Sequence, residues 1–199
     1  MTAAGRAKLT YAEYAARERA SEHRHEFIDG EVFAMAGGTP EHSALIAAVT
    51  MALAGLRTTP CRAFVTELRT RIRADEKGPE VGAYPDIAIV CGAVERDPED
   101  PIAIVNPTVV IEVLSDSTEA YDRNGKFEHY KRLSSLVEYV LVSQHRPRIE
   151  RFSRSVGGWS AVEVADTGGQ IILASAPVTL AVDAIFEGLV GPDGVVRVR

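Results

Sequence analysis

The sequence predicts an α/β or α+β domain built on a central mixed β-sheet flanked by helices. Three observations carry that expectation. Residues 87–91 and 108–114 are β-branched apolar runs, the pattern of strands buried on both faces. Residues 123–133 read as a helix and 137–142 as a strand, so the stretch from Thr108 has the order of a βαβ unit. If its two strands are parallel, the crossover is right-handed. Glycine-centred hairpin signals, Asp29-Gly30 and Val156-Gly157-Gly158, lie on either side of this centre.

Taken in order, residues 10–20 (TYAEYAARERA) read as a helix with Thr10 as N-cap and Glu13 as its capping-box partner. Residues 25–35 form a hairpin over Asp29-Gly30. Gly37-Gly38-Thr39-Pro40 breaks the chain, and Thr39 can cap a helix with Pro40 at its first position. That helix, 40–56, is almost wholly apolar after His42 and belongs in the core. Residues 61–65 and 68–73 are strand candidates, the second alternating Arg69, Arg71 and Arg73 with Leu68, Thr70 and Ile72. Such an arginine row suits a solvated edge that resists aggregation, or contact with a phosphate backbone. Residues 75–82 are a polar loop, and 94–101 are another, rich in charge and proline. Residues 148–153 and 159–164 pair as a hairpin in which Trp159 packs. Residues 171–173 and 178–180 are short and peripheral, and Asp183 can cap a last turn reaching Phe186. One domain over 1–199 is the simplest organisation, with no internal repeat or low-complexity segment.

Composition removes several function classes. A hydrophobic fraction of 46% can fill a core. No apolar run approaches the ~20 residues of a membrane span, and residues 1–8 lack the apolar stretch of a signal peptide. Cys61 and Cys91 read as separate buried thiols, which fits a reducing cytoplasm. The net charge of −6 argues against a broadly basic protein but leaves room for a local phosphate-binding cleft. His23 and His25 have no further ligand at zinc spacing, and Ser115 and Ser117 have no His/Asp set for hydrolysis. Neither glycine-rich nucleotide motif occurs.

Two carboxylates stand where a charge needs a reason. Asp86 follows Pro85 at the head of its strand, and Glu112 lies inside a Val-Val-Ile-Glu-Val-Leu run. A buried carboxylate is costly unless it is paired or binds a metal. If the strands pair, both side chains can point to one spot at the sheet edge. Together with waters and a substrate phosphate they form the oxygen set Mg²⁺ accepts, and the Val113 carbonyl can add a ligand. Lys126 and Tyr130 are four apart and share a helix face. Lys126 can stabilise phosphoryl charge, and Tyr130 can hydrogen-bond the same phosphate. The structural alternatives are a turn cap for Asp86, an ion pair for Glu112 and a solvated face for the helix pair.

Pro85-Asp86 followed by Glu112 in an apolar strand resembles the PD-(D/E)xK nuclease superfamily, with Leu114 where the usual lysine stands. A wider set of residues is more specific: the run Glu26-Phe27-Ile28-Asp29-Gly30-Glu31-Val32, then Pro40-Glu41-His42, then residues 112–118, then Lys126, Tyr130 and residues 137–142. Over roughly residues 10–185 these resemble the Uma-type putative restriction endonucleases, in which the lysine has moved onto the helix after the glutamate strand, the place of Lys126 here. The resemblance implies a restriction-endonuclease-like core and Mg²⁺- or Mn²⁺-dependent cleavage of nucleic acid, DNA ahead of RNA. It also implies accessory roles for Glu31 and His42. A homodimer fits because paired subunits commonly cut both strands, although no interface is marked in the sequence. The rival reading keeps the fold without catalysis, as a degenerate module that binds nucleic acid or protein. A third is a structural protein with no ligand.

Overall fold

A computed structural model describes residues 8–35 and 37–198. Helix α1 (Tyr11–Ala20) leads to the hairpin β1 (His25–Ile28) and β2 (Glu31–Ala34), and then to α2 (Pro40–Ala52), which tightens into a 3₁₀ turn over Leu53–Thr58. Strands β3 (Cys61–Val65), β4 (Arg69–Ile72), β5 (Val81–Ala83), β6 (Ile87–Cys91), β7 (Ala103–Ile104) and β8 (Val109–Val113) follow. Two short helices, α3 (Glu119–Arg123) and α4 (Gly125–Tyr130), cross to β9 (Glu138–Val142). The chain closes with β10 (Arg148–Ser155), β11 (Gly158–Trp159), β12 (Glu163–Asp166), β13 (Gln170–Leu173), β14 (Val178–Ala181) and α5 (Val182–Ile185).

The capping signals act as expected. Thr10 and Glu13 make both halves of a capping box, and Thr39 accepts from the His42 amide with Pro40 beginning α2. Asp29 and Gly30 both take positive φ, 49° and 88°, the mirror-image turn that suits a two-residue hairpin.

The large sheet is ordered β11-β10-β9-β8-β6-β3, with β12 also on β10, and it is mixed: β8 runs parallel to β9 and antiparallel to β6. Successive residues of its central strands feed opposite faces. Ile87, Ile89, Val109, Ile111, Val113, Val140 and Val142 join the core under α2, β13, β14 and α5. Val110, Leu114, Tyr139 and Leu141 join Phe127 and Tyr130 of α4. Glu112 shares the parity of Val110 and Leu114, so its carboxylate faces the α3–α4 side. The βαβ unit is therefore the frame of the site.

A smaller sheet, β2-β1-β5-β4-β7, carries α1 through Tyr11, Tyr14 and Phe27. Here the arginine row departs from both expectations. Strand β4 lies inside this sheet, between β5 and β7. Arg69 is fully buried, donating to Asp100 at 2.8 and 2.5 Å and to the Tyr84 hydroxyl at 2.7 Å. Arg71 pairs with Asp97, Glu99 and Glu80, and Arg73 with Asp97. Acidic partners from the loops at 75–82 and 94–101 compensate the buried charge.

Other expectations change as well. The cysteines are joined: Cys61 and Cys91 stand opposite each other in the β3–β6 register and form a disulfide. The reading of a reducing cytoplasm loses the support of free thiols. The helix expected at 123–133 begins earlier, ends at Tyr130, and is broken at Asn124, where φ −125° and ψ −88° leave helical space. The strand expected at 159–164 is two pieces, both paired to β10. The hairpin β13–β14 is not peripheral, since Ile171 and Leu180 are fully buried in the main core. Among the described residues no helix is long and apolar enough to cross a membrane.

Candidate active site

The β6–β8 register pairs Ile87 with Ile111, and one step further Asp86 stands opposite Glu112. There the backbone ladder gives way to a side-chain clasp. The Asp86 amide donates to Glu112 Oε2 at 3.1 Å, and the Val113 amide donates to Asp86 Oδ2 at 2.8 Å. From α4, Lys126 Nζ reaches Glu112 Oε1 at 3.0 Å and donates to the Tyr84 carbonyl at 3.3 Å. The same ammonium lies 3.3 Å from Glu26 of β1 and 3.5 Å from Asp122 of α3. From the first turn of α2, His42 Nε2 sits 3.3 Å from Asp86 Oδ2. Gly38 permits that approach, because a Cβ there would lie 2.8 Å from His42 Nδ1.

These groups line one groove of about 360 Å³, walled by Phe33 and Met35 on one side and by the loop Ser115–Thr118 with Tyr121 on the other. Its charge balance is lopsided, with one lysine against the carboxylates of Glu26, Asp86, Glu112, Asp116 and Asp122. Burial raises the Glu112 carboxyl well above its ordinary range, Lys126 opposes this, and the charges of Asp122 and Asp86 add to it. Burial likewise raises Asp122 against the pull of Lys126 and the Thr118 hydroxyl. Burial works against the Lys126 cation, yet Glu112 and Glu26 outweigh it and hold the ammonium charged. The Asp86 hydrogen bond raises His42 against burial, and the Val113 carbonyl contributes in the same direction. The cluster thus stores negative charge that protons or a cation must balance.

Of the residues singled out in the sequence, Asp86, Glu112, Lys126 and His42 meet here, with the Val113 backbone beside them. Two do not join them. Tyr130 is wholly buried, its hydroxyl without a hydrogen-bond partner among the described residues, in the core with Tyr139 and Phe127. It does not line the groove, although its hydroxyl lies near enough to Glu112, Lys126 and Glu26 to feel their charges. Glu31 is near the hairpin turn, exposed, and lines a neighbouring hollow with Lys8 and Glu13 that meets the groove only at Phe33 among the described residues. It shares a sheet face with Glu26 but lies two residues further along the hairpin, ~7 Å away along the strand. Glu26 and Asp122 take the acidic places that sequence reasoning left empty. Asp122 had a legible signal, four residues before Lys126. Glu26 had a weaker one, a carboxylate beside the buried Phe27.

Residues 11–184 match the Uma2 family, described as "Putative restriction endonuclease". The chain belongs to that family. Two uncharacterised proteins of Synechocystis sp. are similar over most of their length. One is 32% identical across 92% of this chain and 93% of its own. The other is 30% identical across 82% and 91%. The fold also matches a crystal structure from Anabaena variabilis, described as a putative nuclease belonging to DUF820, with a TM-score of 0.67 at 17% identity, covering 83% of this chain and 91% of that one. The restriction-endonuclease-like core expected from the sequence is thus the fold observed.

Whether this Uma2 chain can hold a divalent ion turns on its donors. Among the described residues no three His, Cys, Asp or Glu side chains are grouped around one point as a ready-made metal cage. Mg²⁺ does not need one, since it keeps several waters and takes one or two carboxylates. Asp86 and Glu112 supply two from adjoining strands. Glu112 Oε1, although close to Lys126, is buried with no aligned hydrogen bond, which leaves an acceptor to be satisfied. The donor set fits a hard cation held by Asp86 and Glu112, with the backbone of Val113 next to Glu112 on β8.

Proposed function

We propose that this chain is a Mg²⁺- or Mn²⁺-dependent endonuclease that hydrolyses phosphodiester bonds in DNA. The observation that supports it best is the convergence of Asp86, Glu112 and Lys126, drawn from three elements, at the floor of one open groove. Asp86 and Glu112, with the Val113 carbonyl, would hold the ion. Bound there, the ion supplies Lewis-acid polarisation of the phosphoryl group and activation of the attacking water. Lys126 is aimed into the groove as a fixed cation, so its charge needs no reorganisation when negative charge develops on the phosphoryl oxygens. His42 holds Asp86 in place and can accept or return a proton at Nε2, the atom facing the groove carboxylate. Glu26 and Asp122 keep Lys126 protonated and positioned. One chain carries the whole constellation, so nicking a single strand requires only one copy.

The test is nicking of a supercoiled plasmid with Mn²⁺ or Mg²⁺. Asp86→Asn, verified as folded by its circular dichroism and melting temperature, is expected to lose cleavage. Undiminished nicking by that variant would refute the assignment. The alternative, a catalytically degenerate module that binds nucleic acid or protein, is favoured by the engagement of Glu112 with both Lys126 and the Asp86 amide. Calorimetric titration with Mn²⁺ separates the two. Binding by the wild type that is lost in both the Asp86→Asn and Glu112→Gln variants supports the nuclease, and no binding at all supports the module.

A further inference from the structure

The groove has an apolar wall that the chemistry above does not use. In the β1–β2 register Phe33 stands opposite Glu26, so the two side chains leave the same face of the hairpin. Glu26 points to Lys126, and Phe33 therefore flanks the same space. Met35, two residues on, follows the same alternation and also lines the groove. Both are large and substantially open, Phe33 at 47% and Met35 at 38% of full exposure. Phe33 stacks on no other aromatic among the described residues, although Tyr11, Tyr14 and Phe27 cluster on the other side of the same small sheet. Strand β2 is the outer strand, so nothing in the sheet covers it.

The charges around the wall restrict what can occupy it. Among the described residues lining the groove, Lys126 is the one lysine or arginine, and five carboxylate residues line it with Lys126. A duplex is gripped chiefly through its phosphates, typically by several lysines and arginines. This groove offers no such row, and its volume of about 360 Å³ is the scale of one small ligand. Single-stranded nucleic acid is held in part by stacking of unpaired bases on exposed aromatic rings, and that apolar contact is the one this wall offers.

Resting on the nuclease reading, we propose that Phe33, with Met35 behind it, stacks an unpaired base of the scissile strand, so that this site takes single-stranded nucleic acid in preference to intact duplex. Phe33 is then a specificity residue that touches substrate. The adjoining hairpin turn at Asp29-Gly30 fixes the register that puts it there.

The experiment reads binding without turnover. Fluorescence anisotropy of a labelled single-stranded oligonucleotide, and of the same sequence as a duplex, is measured with Ca²⁺ in place of Mg²⁺. The single strand is expected to bind more tightly. Phe33→Ala is expected to weaken that binding about 10-fold, within the range of one lost base stack, and Phe33→Tyr to restore it. Duplex binding as tight as single-strand binding, or unchanged single-strand binding by Phe33→Ala, would overturn the proposal. So would a Phe33→Ala variant that dissociates a dimer in sedimentation while binding the oligonucleotide normally, because the wall would then be a subunit contact. Binding that weakens in Phe33→Ala while the wild type never cleaves with Mn²⁺ keeps the stacking role and removes the nuclease reading. Cleavage with no effect of Phe33→Ala on binding does the reverse.

Discussion

Replacing Lys126 by Met tests the energetics of the site without reference to any substrate. The side chain is 8% exposed and its ammonium lies within 3.5 Å of Glu112, Glu26 and Asp122. Methionine fills much the same volume but leaves three carboxylates facing one another across a buried space. Removing one partner of a buried ion pair typically costs ~3–5 kcal/mol, because the remaining charge is stranded. With a urea slope of about 2 kcal/mol/M, a loss of about 4 kcal/mol lowers the unfolding midpoint by about 2 M. Part of the penalty is relieved by protonation of Glu112 and Asp122, so the figure is an upper bound. Chemical denaturation followed by circular dichroism, with and without Mg²⁺, is the assay. A divalent ion should raise the midpoint of Lys126→Met more than that of the wild type, since it replaces the missing positive charge. A midpoint shift under about 0.5 M, equivalent to about 1 kcal/mol at that slope, would refute the view that Lys126 is the cation balancing the cluster.

Three further outcomes follow from the same reasoning elsewhere in the fold. Arg69→Leu strands Asp100 and is expected to cost ~3–5 kcal/mol in urea unfolding, whereas adding Asp100→Leu should recover most of the loss. Replacing Cys61 and Cys91 by alanine opens a cross-link spanning 30 residues and should cost about 3.6 kcal/mol by chain entropy; a reductant should lower the wild-type melting temperature and leave the double variant unchanged. Burial pushes the Asp97 carboxyl up, but the Arg71 hydrogen bond, the Glu99 amide and the charges of Arg71 and Arg73 hold it below its ordinary value. A carboxyl lowered in the folded state stabilises above the unfolded value and loses that contribution as pH falls through the folded one. Thermal melts should therefore steepen their decline below pH ~4, and Asp97→Asn should flatten that limb.

What the sequence revealed divides along a physical line. Local rules were legible: Thr10 and Thr39 cap their helices, Asp29-Gly30 turns the hairpin, and residues 109–113 form a doubly buried strand. The carboxylate inside that strand was legible too, because a charge there has few explanations. Long-range pairing was not. Nothing near Arg69 announces Asp100, which lies 31 residues away, so an alternating arginine row looked like a surface. Cys61 and Cys91 looked independent because only the β3–β6 register makes them neighbours. Tyr130 shares a helix face with Lys126, but the spacing cannot tell which of the two lines the groove floor and which sinks into the core. Glu31 and Glu26 flank one turn, and only the hairpin's direction decides that Glu26 meets the lysine.

The clasp between β6 and β8 has a consequence for anyone altering this centre. Each strand's acid is anchored by an amide of the opposite strand, so each acid also acts as a fastener of the sheet. A single replacement loosens its neighbour's mooring as well as deleting a charge, and the effects of changing both should fall well short of their sum. Chemistry and architecture are knotted together at that point, so a variant inert in catalysis must be shown to retain its strand alignment before its silence is ascribed to a missing ligand.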